Sequence, residues 1–227
     1  MILIIFDIDG TLVHSNKIDS QCFAETYEQV FDKTFPSIDW RDYPHVTDDT
    51  IFATVFEKHF NRTATPTERD HFKTQFVKRI IAERKKQPAA FHEVPGAKAI
   101  IHRLLEDPYY IVGIGTGGWH SPAMTKLDFV NIPTDDLYIS AADDCPTRVH
   151  IVNRAIRLAK AAHPTIEKII YVGDASWDVT TCNDMNIPLI GIRVRGDVEV
   201  LKAMGVTDVF KNFLDPEAFL TAVTHKL

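Results

Sequence analysis

The chain has 227 residues, of which 45% are hydrophobic and 25% charged, and its formal net charge is -6 at pH 7. This balance excludes a disordered or fibrous chain, and the length suits one large domain or a core domain with a smaller insertion. The acidic net charge argues against a general nucleic-acid binder but leaves room for a local cationic pocket.

Three cysteines, Cys22, Cys145 and Cys182, lie far apart in the sequence without a Cys-x-x-Cys spacing. They cannot all pair, so a reducing cytoplasmic environment fits the chain best. The apolar N-terminal run has no basic segment before it and is far too short to span a bilayer. We therefore expect a cytoplasmic protein without a signal peptide or membrane anchor, which binds neither membranes nor nucleic acids.

An uninterrupted apolar run over residues 1–6 leads directly into Asp7, Asp9 and Gly10. Such a run is typical of a strand that is covered on both faces in a parallel sheet, and ligands gather where such strands end. Two neighbouring carboxylates repel each other unless a cation lies with them, and Mg²⁺ is a candidate because it prefers oxygen ligands. The alternative is a solvated acidic turn after an edge strand.

The segment 17–90 is predicted to be helical throughout, with further helices over 47–59 and 67–86. Its aromatic residues recur at helical spacing and are expected to form the core of a small bundle rather than a ligand site: Phe52, Phe56, Phe60, Phe72 and Phe76. We expect residues 14–18 and 88–95 to act as hinges around this block.

From residue 93 onward the pattern alternates between strands and helices. Helices are predicted over 97–105 and 149–162, and strands over 110–115, 137–141, 169–172 and 189–194. This alternation predicts an α/β fold with a doubly wound parallel sheet and a Rossmann-like core. We therefore assign residues 1–15 and 92–227 to the core and residues 16–91 to an inserted helical cap.

Polar residues follow two more of the predicted strands. Thr116 and Gly117 could cradle an anion, because backbone amides approach a ligand closely where no Cβ intervenes, although a plain tight turn is equally compatible. Asp174 and Asp178 follow the strand over 169–172, where one of them could simply cap a helix. Arg148 lies in the first turn of a helix, where the dipole disfavours a cation unless an anion faces it.

In this order at strand ends, these pieces resemble the haloacid dehalogenase superfamily of aspartate-nucleophile phosphotransferases. The stretch FDIDGTL at residues 6–12 is similar to its first motif and Thr116 to its second. Arg148 is similar to its third motif, and Asp174 with Asp178 to its fourth. The helical block resembles the α-helical cap of the subfamily that inserts its cap between the first two motifs.

The resemblance implies a Mg²⁺-dependent phosphomonoester hydrolase that acts on a small phosphorylated metabolite. Asp7 would be the nucleophile that forms an aspartyl-phosphate, and Asp9 would be the general acid and base. Asp7, the backbone carbonyl of Asp9, and Asp174 would hold Mg²⁺, with Asp178 orienting this metal shell. A carboxylate at position 9 favours phosphate esters over dehalogenation or phosphonate cleavage.

The phosphoryl group would be held by Thr116, the Gly117 amide and Arg148. The third motif of the superfamily is usually lysine, so Lys126 and Lys160 are alternatives for this cation. Lys160 lies about three turns along the predicted helix from Arg148. Lys126 follows an expected break at Pro122, and both lysines are therefore geometrically less attractive than Arg148.

Two other functions stay open at this point. A phosphosugar mutase of the same superfamily uses the same aspartates but returns the phosphoryl group to a bound sugar phosphate. A non-catalytic regulatory relative would keep the fold while losing the aspartates. The sequence does not identify the substrate or the oligomeric state.

Five more residues near the predicted site have two interpretations each. His45, Thr47 and Asp48 could face the substrate or form a solvated helix start that Thr47 caps. Trp119 and His120 follow the second motif, and they could line the mouth of the pocket or pack against the cap.

Overall fold

The computed structural model describes residues 1–43, 45–193 and 198–226. Within these residues, six parallel strands form one sheet: β1 (Ile2–Phe6), β4 (Tyr110–Gly115), β5 (Tyr138–Ser140), β6 (Lys168–Gly173), β7 (Leu189–Ile192) and β8 (Val209–Phe210). Their order in the sheet is β5-β4-β1-β6-β7-β8, which confirms the predicted α/β class. Two short strands, β2 (Val13–His14) and β3 (His92–Glu93), pair separately as an antiparallel ribbon.

Strand β1 lies in the middle of the sheet and is fully buried. Ile2, Ile4 and Phe6 belong to the apolar cluster on one face of the sheet, whereas Leu3 and Ile5 belong to the cluster on the other. Successive side chains of a strand point to opposite faces. The apolar run in the sequence therefore reflects a strand that packs against helices on both sides.

The carboxyl ends of three neighbouring strands meet beside Asp7. Phe6 of β1 is in register with Ile114 of β4 and with Val172 of β6. The chain passes from β1 to β4 on one side of it and later crosses from β5 to β6 on its other side, and ligands of open α/β sheets bind where the strand order reverses in this way. The predicted site residues at 7, 116 and 174 therefore follow adjacent strands at one edge of the sheet.

Nine α-helices lie in the described part of the chain. Six of them belong to the region that follows β3: α4 (Ala97–Glu106), α5 (His120–Phe129), α6 (Arg148–Ala162), α7 (Ser176–Met185), α8 (Glu199–Ala203) and α9 (Pro216–His225). The other three, α1 (Asn16–Phe31), α2 (Asp48–Phe60) and α3 (Pro66–Lys86), form a helical insertion between β2 and β3. Among the described helices, none combines the length and apolar character needed to cross a bilayer.

The insertion is held together by aromatic side chains. Phe23 of α1 contacts the rings of Phe72 and Phe76 of α3, with centroid distances of 5.0 and 5.3 Å. Phe52 and Phe56 of α2 are also fully buried, and Phe60 packs partly buried beside them. These residues form the predicted aromatic core. The division into residues 16–91 and the rest stays a prediction, although β2 and β3 lie where the hinges are expected.

Three differences from the predicted elements concern the segment between α1 and α2, helix α5 and strand β7. Asp32 takes a left-handed conformation that ends α1, and only a single 3₁₀ turn at Trp40–Asp42 precedes α2, so the insertion is not helical throughout. Helix α5 was not predicted, because Pro122 suggested a break. Pro122 is its third residue, and proline is tolerated in a first turn. The predicted strand over 189–194 ends at Ile192, and Val194 lies outside the described residues.

Candidate active site

A small cavity of about 90 Å³ lies between the carboxyl edge of the sheet and the insertion. The core contributes Asp7, Asp9, Thr116, Gly117, Gly118, Arg148 and Trp177, and the insertion contributes Asp19, Trp40, Val46, Thr47, Asp48 and Ile51. Ligand pockets for whole metabolites usually measure about 300–1,000 Å³. This cavity therefore suits a small group, such as one end of a substrate.

Asp7, Asp174 and Asp178 form a buried acidic cluster, in which one oxygen of each carboxylate lies within 4.8 Å of the others. Asp7 follows β1, and its side-chain Oδ1 is buried and accepts no hydrogen bond from the described residues. Asp174 follows β6, and its backbone carbonyl accepts a hydrogen bond from Arg193 at 2.8 Å. The cluster thus presents oxygen atoms of the kind that hard divalent cations bind.

Asp178 differs from the other two because both of its oxygens already have partners. Its Oδ2 accepts hydrogen bonds from the backbone amides of Asp174 and Ala175 at 3.1 and 3.0 Å. Its Oδ1 lies 2.8 Å from Nη1 of Arg148. Gly173 makes this packing possible, since a Cβ there would lie 2.6 Å from Asp178 Oδ2. Asp178 therefore fixes the turn that carries Asp174.

Arg148, in the first turn of α6, joins the acidic cluster to the insertion. Its Nη1 lies 3.8 Å from Asp7 Oδ1 as well as 2.8 Å from Asp178 Oδ1, and its Nε donates to the carbonyl of Val46 at 3.1 Å. The side chain also lies over the ring of Trp177. The carboxylates of Asp7 and Asp178 thus face the Arg148 guanidinium, which explains a cation at this helix N-terminus.

The turn after β4 also faces the cavity. Thr116 is buried, and its hydroxyl accepts a hydrogen bond from the amide of Gly118 at 3.1 Å. A Cβ on Gly117 would lie 2.6 Å from the carbonyl oxygen of Val46 and 2.7 Å from Arg148 Nη2. Glycine at 117 is therefore required for the insertion and Arg148 to approach this turn.

Asp9 is held by a different set of residues from Asp7. Nζ of Lys126 lies 2.7 Å from its Oδ1 and 2.6 Å from its Oδ2, and the hydroxyl of Ser15 also donates to Oδ1. The same ammonium group lies 3.1 Å from Asp19 Oδ1. The two aspartates of the first motif thus line one cavity, each beside its own cation.

Burial dominates the electrostatics of these carboxylates. It raises the pKa of Asp7 to about 8, and the neighbouring Asp178 and Asp9 add to this effect while Arg148 opposes it. Burial likewise raises the pKa of Asp174 well above its ordinary value, with Asp178 and Asp7 contributing in the same direction. The pKa of Asp48 is raised to about 8, again chiefly by burial.

The three candidate cations occupy different positions. Arg148 lies beside Asp7, whereas Lys126 contacts Asp9 and Asp19. The expectation that Pro122 would keep Lys126 away from the site is wrong, because α5 continues through that proline. Lys160 is exposed in the last turn of α6, the helix that begins at Arg148.

The structure shows which of the five residues with two interpretations line the cavity and which have a structural role or are exposed. Thr47 caps α2 by accepting a hydrogen bond from the Thr50 amide, yet Thr47 and Asp48 also line the cavity. Trp119 is fully buried and stacks on Phe23 of the insertion, with a centroid distance of 5.8 Å. His45 and His120 are exposed.

Sequence reasoning missed Asp19 and Ser15. Asp19 contacts Lys126 and Ser15 contacts Asp9, and both contacts depend on how α1 packs.

A larger cavity, of about 550 Å³, lies on the hinge side of the site. It is lined by residues of the β2–β3 ribbon, of both ends of the insertion and of the core, including His14, Lys17, His92, Asp174 and Arg193. Because Asp174 borders this cavity, the acidic cluster lies close to two separate spaces.

The residues of the acidic cluster fit a bound divalent metal ion. Carboxylate oxygens are suitable ligands for Mg²⁺, and the buried Oδ1 of Asp7, which accepts no hydrogen bond from the described residues, is available to such an ion. Asp178 is already engaged through both oxygens, which suits an orienting role beside the metal rather than direct ligation.

Solved structures match the chain over nearly its whole length. A hydrolase from Pseudomonas syringae has a TM-score of 0.72 and 16% sequence identity, covering 97% of this chain and 98% of that chain. A Bacteroides vulgatus protein provisionally described as a β-phosphoglucomutase has a TM-score of 0.68 and 15% identity, covering 100% and 90%. CbbY from Rhodobacter sphaeroides, in complex with phosphate, has a TM-score of 0.65 and 16% identity, covering 94% and 95%.

At sequence identities this low, the TM-scores show a shared fold and nothing more. No curated protein sequence matches the chain. The family model for haloacid dehalogenase-like hydrolases matches residues 4–192, a range that contains the whole acidic cluster, Arg148 and the helical insertion. The chain therefore belongs to the haloacid dehalogenase-like hydrolase family.

Proposed function

We propose that the protein is a Mg²⁺-dependent phosphomonoester hydrolase that acts on a small phosphorylated metabolite through an aspartyl-phosphate on Asp7. The observation that carries this proposal is the environment of Asp7. Its carboxylate is buried at the end of the central strand, with Arg148 at 3.8 Å and the oxygens of Asp174 and Asp178 within 4.8 Å. Phosphoryl transfer requires little beyond a positioned nucleophile and charge neutralisation.

Asp7, the backbone carbonyl of Asp9, and Asp174 would hold the metal in this proposal. When bound, Mg²⁺ supplies positive charge that neutralises the phosphoryl oxygens and the carboxylates around them. Asp178 keeps the Asp174 turn in place through its hydrogen bonds to two backbone amides. Thr116, the Gly117 amide and Arg148 would contact the transferring phosphoryl group.

The chemistry then proceeds in two steps on this chain's own residues. In the first step, an oxygen of Asp7 attacks phosphorus, the ester bond to the substrate breaks, and Asp9 donates a proton to the departing alcohol. In the second step, Asp9 accepts a proton from a water molecule as that water attacks the phosphorus of the aspartyl-phosphate, and the bond between phosphorus and the Asp7 oxygen breaks. Inorganic phosphate leaves, and Asp7 and Asp9 return to their starting states.

The size of the cavity and one structural relative support a phosphoryl ligand. A space of about 90 Å³ between Asp7, Thr116 and Arg148 suits the phosphoryl end of a substrate but is too small for a whole metabolite. CbbY from Rhodobacter sphaeroides, which shares the fold, was solved with phosphate bound. The leaving group would occupy space that opens when the insertion moves away from the core.

The test is a screen of phosphorylated metabolites with released inorganic phosphate as the readout, repeated without magnesium. We expect Asp7→Asn to lower turnover by at least about 10³-fold, because an amide cannot act as the nucleophile. Asp136→Asn, a change at an exposed carboxylate lining a cavity beside Met1 and Tyr110, serves as the matched control. Full magnesium-dependent turnover by Asp7→Asn would contradict the proposed nucleophile.

The same screen separates hydrolysis from the mutase alternative. A hydrolase releases one phosphate for each ester consumed. A mutase would instead leave the phosphoryl group esterified on another hydroxyl of the sugar, so phosphorus NMR of the product mixture distinguishes the two. No turnover of any substrate in the presence of magnesium would favour a non-catalytic relative.

A further inference from the structure

Lys126 is the most deeply buried lysine side chain among the ion pairs of the described residues, with 1% of its side chain exposed. It lies in α5, and its ammonium group contacts both oxygens of Asp9 and one oxygen of Asp19. Asp48 of α2 is close enough to contribute to its electrostatic environment. A buried ammonium is costly unless several anionic oxygens surround it, so this position is built for a cation.

The contacts of Lys126 connect three parts of the molecule. Asp9 belongs to the loop after β1, Asp19 to helix α1 of the insertion, and Lys126 itself to α5 of the core. Both Asp9 and Asp19 line the small cavity, whereas Lys126 is not among its lining residues. The lysine therefore supports the two carboxylates from behind rather than from within the cavity.

Lys126 and Arg148 contact different carboxylates and therefore have different roles. In the described structure, Arg148 is the cation that pairs with Asp7, at 3.8 Å, while the ion pairs of Lys126 go to Asp9 and Asp19. A residue such as Arg148, which contacts the nucleophile, affects the turnover of every substrate to a similar extent. A residue such as Lys126, which contacts the proton donor, affects turnover most when the departing alcohol needs that proton.

We propose that Lys126 is a positioning residue that holds the carboxyl group of Asp9 in the orientation from which, in its protonated form, it transfers a proton to the leaving group. This inference rests on the proposed phosphatase function. The ammonium group fixes both oxygens of Asp9, and the hydroxyl of Ser15 fixes Oδ1 from a second direction. The direct contact with Asp19 makes this orientation depend on the position of α1.

The experiment compares two aryl esters that differ in how much they need an acid. p-Nitrophenolate leaves readily without a proton, whereas phenolate is a poorer leaving group. With magnesium present, we expect Lys126→Met to lower kcat/KM about 100-fold for phenyl phosphate and less than about tenfold for p-nitrophenyl phosphate. A uniform loss for the two esters, or no loss for either, would overturn the proposal.

Three further variants keep the result interpretable if removal of the lysine disturbs folding. Lys126→Met combined with Asp19→Asn removes one cation and one carboxylate together, and we expect this double variant to fold. Its kcat/KM should still fall more for phenyl phosphate than for p-nitrophenyl phosphate. Asp19→Asn alone weakens the contact between Lys126 and α1, and we expect a smaller loss than that of Lys126→Met, again greater for phenyl phosphate than for p-nitrophenyl phosphate. Lys126→Arg should partly restore the turnover of phenyl phosphate.

The activity of the wild-type protein on the two esters distinguishes failure of the positioning role from failure of the proposed phosphatase function. If the wild type hydrolyses neither ester nor any other substrate of the screen, the phosphatase proposal fails and the role of Lys126 falls with it. If the wild type is active and the lysine variants lose activity equally for both esters, only the positioning role fails.

Discussion

The small cavity brings four aspartates, Asp7, Asp9, Asp19 and Asp48, close to one another, and burial governs the protonation of Asp7, Asp19 and Asp48. The pKa of Asp19 is raised to about 6, and those of Asp7 and Asp48 to about 8, in each case chiefly by burial. Asp7 and Asp48 therefore carry protons at neutral pH when no metal is present. A phosphorylated ligand would meet less negative charge there than the sequence suggests.

The raised pKa of Asp48 predicts how stability depends on pH. Because the carboxyl group is protonated in the folded protein and ionised in the unfolded chain between pH 4 and about 8, folding stability falls as pH rises through this range. We expect Asp48→Asn to weaken this fall between pH 6 and pH 9, since the amide cannot ionise. Urea unfolding at both pH values measures the effect.

The amide in Asp48→Asn can still accept the hydrogen bond that the Trp119 backbone donates to Asp48 at 2.9 Å. Asp49→Asn, a change at the next residue of the same helix, is the matched control for loss of a negative charge. Equal pH dependence in the wild type and Asp48→Asn would show that the Asp48 carboxyl group does not titrate in this range.

At the residue scale, sequence reasoning works where strand order decides the outcome. Asp7, Thr116 and Asp174 each follow a buried apolar run, and the ends of neighbouring parallel strands must meet. Lys126 could not be located in this way, because its position depends on the rotation of α5 and on the packing of α1 against the core. Tertiary packing of this kind leaves no periodic signal in the sequence.

Among the elements, the β6–α7 turn is a tightly constrained part of the site. Gly173 ends β6, and the carboxylate of Asp178 in the first turn of α7 folds back over it. The distance of 2.6 Å from a Cβ at position 173 to Asp178 Oδ2 leaves no space for a methyl group. Strand, turn and helix can therefore carry the acidic cluster only with glycine at this position.

We expect Gly173→Ala to displace Asp178 and, with it, the hydrogen bonds to the turn and the pairing with Arg148. A displacement of about 1 Å at such a position can lower turnover about 100-fold. Phosphate release at saturating magnesium measures this loss, and titration with magnesium shows whether metal affinity falls as well. Gly118→Ala is the control, since a Cβ there would make contacts of 3.5 Å or more. Similar effects of the two changes would contradict this account.

The element boundaries were predictable to the extent that local signals agree with the fold. Strand β4 has the predicted bounds, and the capping box of Thr65 and Glu68 marks the start of α3. Local signals fail at α5, where the proline suggests a break, and between α1 and α2, where they wrongly predict a helix. In both places, the position within a turn or the packing of neighbours outweighs the local propensity.

At the scale of the whole molecule, polar contacts hold the insertion against the core around the small cavity. The amide of Asp48 donates to the carbonyl of Gly117 at 2.8 Å, and the hydroxyl of Thr50 donates to the carbonyl of Pro146 at 2.8 Å. At the same edge, Lys73 of α3 forms an ion pair with Asp143 at 2.7 Å. A metabolite larger than the cavity can enter only if contacts of this kind open.

We expect Lys73→Met to make this opening easier, because the ion pair with Asp143 is lost. An ion pair of this exposure contributes at most about 1 kcal/mol, so the backbone amide of Asp48 should exchange with solvent up to about fivefold faster. Hydrogen exchange followed by NMR measures this rate directly. Lys78→Met, at an exposed position of the same helix, should leave the rate unchanged. Equal rates in all three proteins would show that the ion pair does not contribute to closure.

The β2–β3 ribbon gives this architecture a property that matters for protein engineering. Because His14 is paired with His92, the chain leaves the core and returns to it at two adjacent points of one antiparallel ladder, where paired Cα atoms lie about 5 Å apart. An element with its termini this close can be exchanged for another without moving the strands of the sheet. The ribbon is therefore a natural graft junction, at which a different helical module would meet the unaltered acidic cluster of Asp7, Asp174 and Asp178.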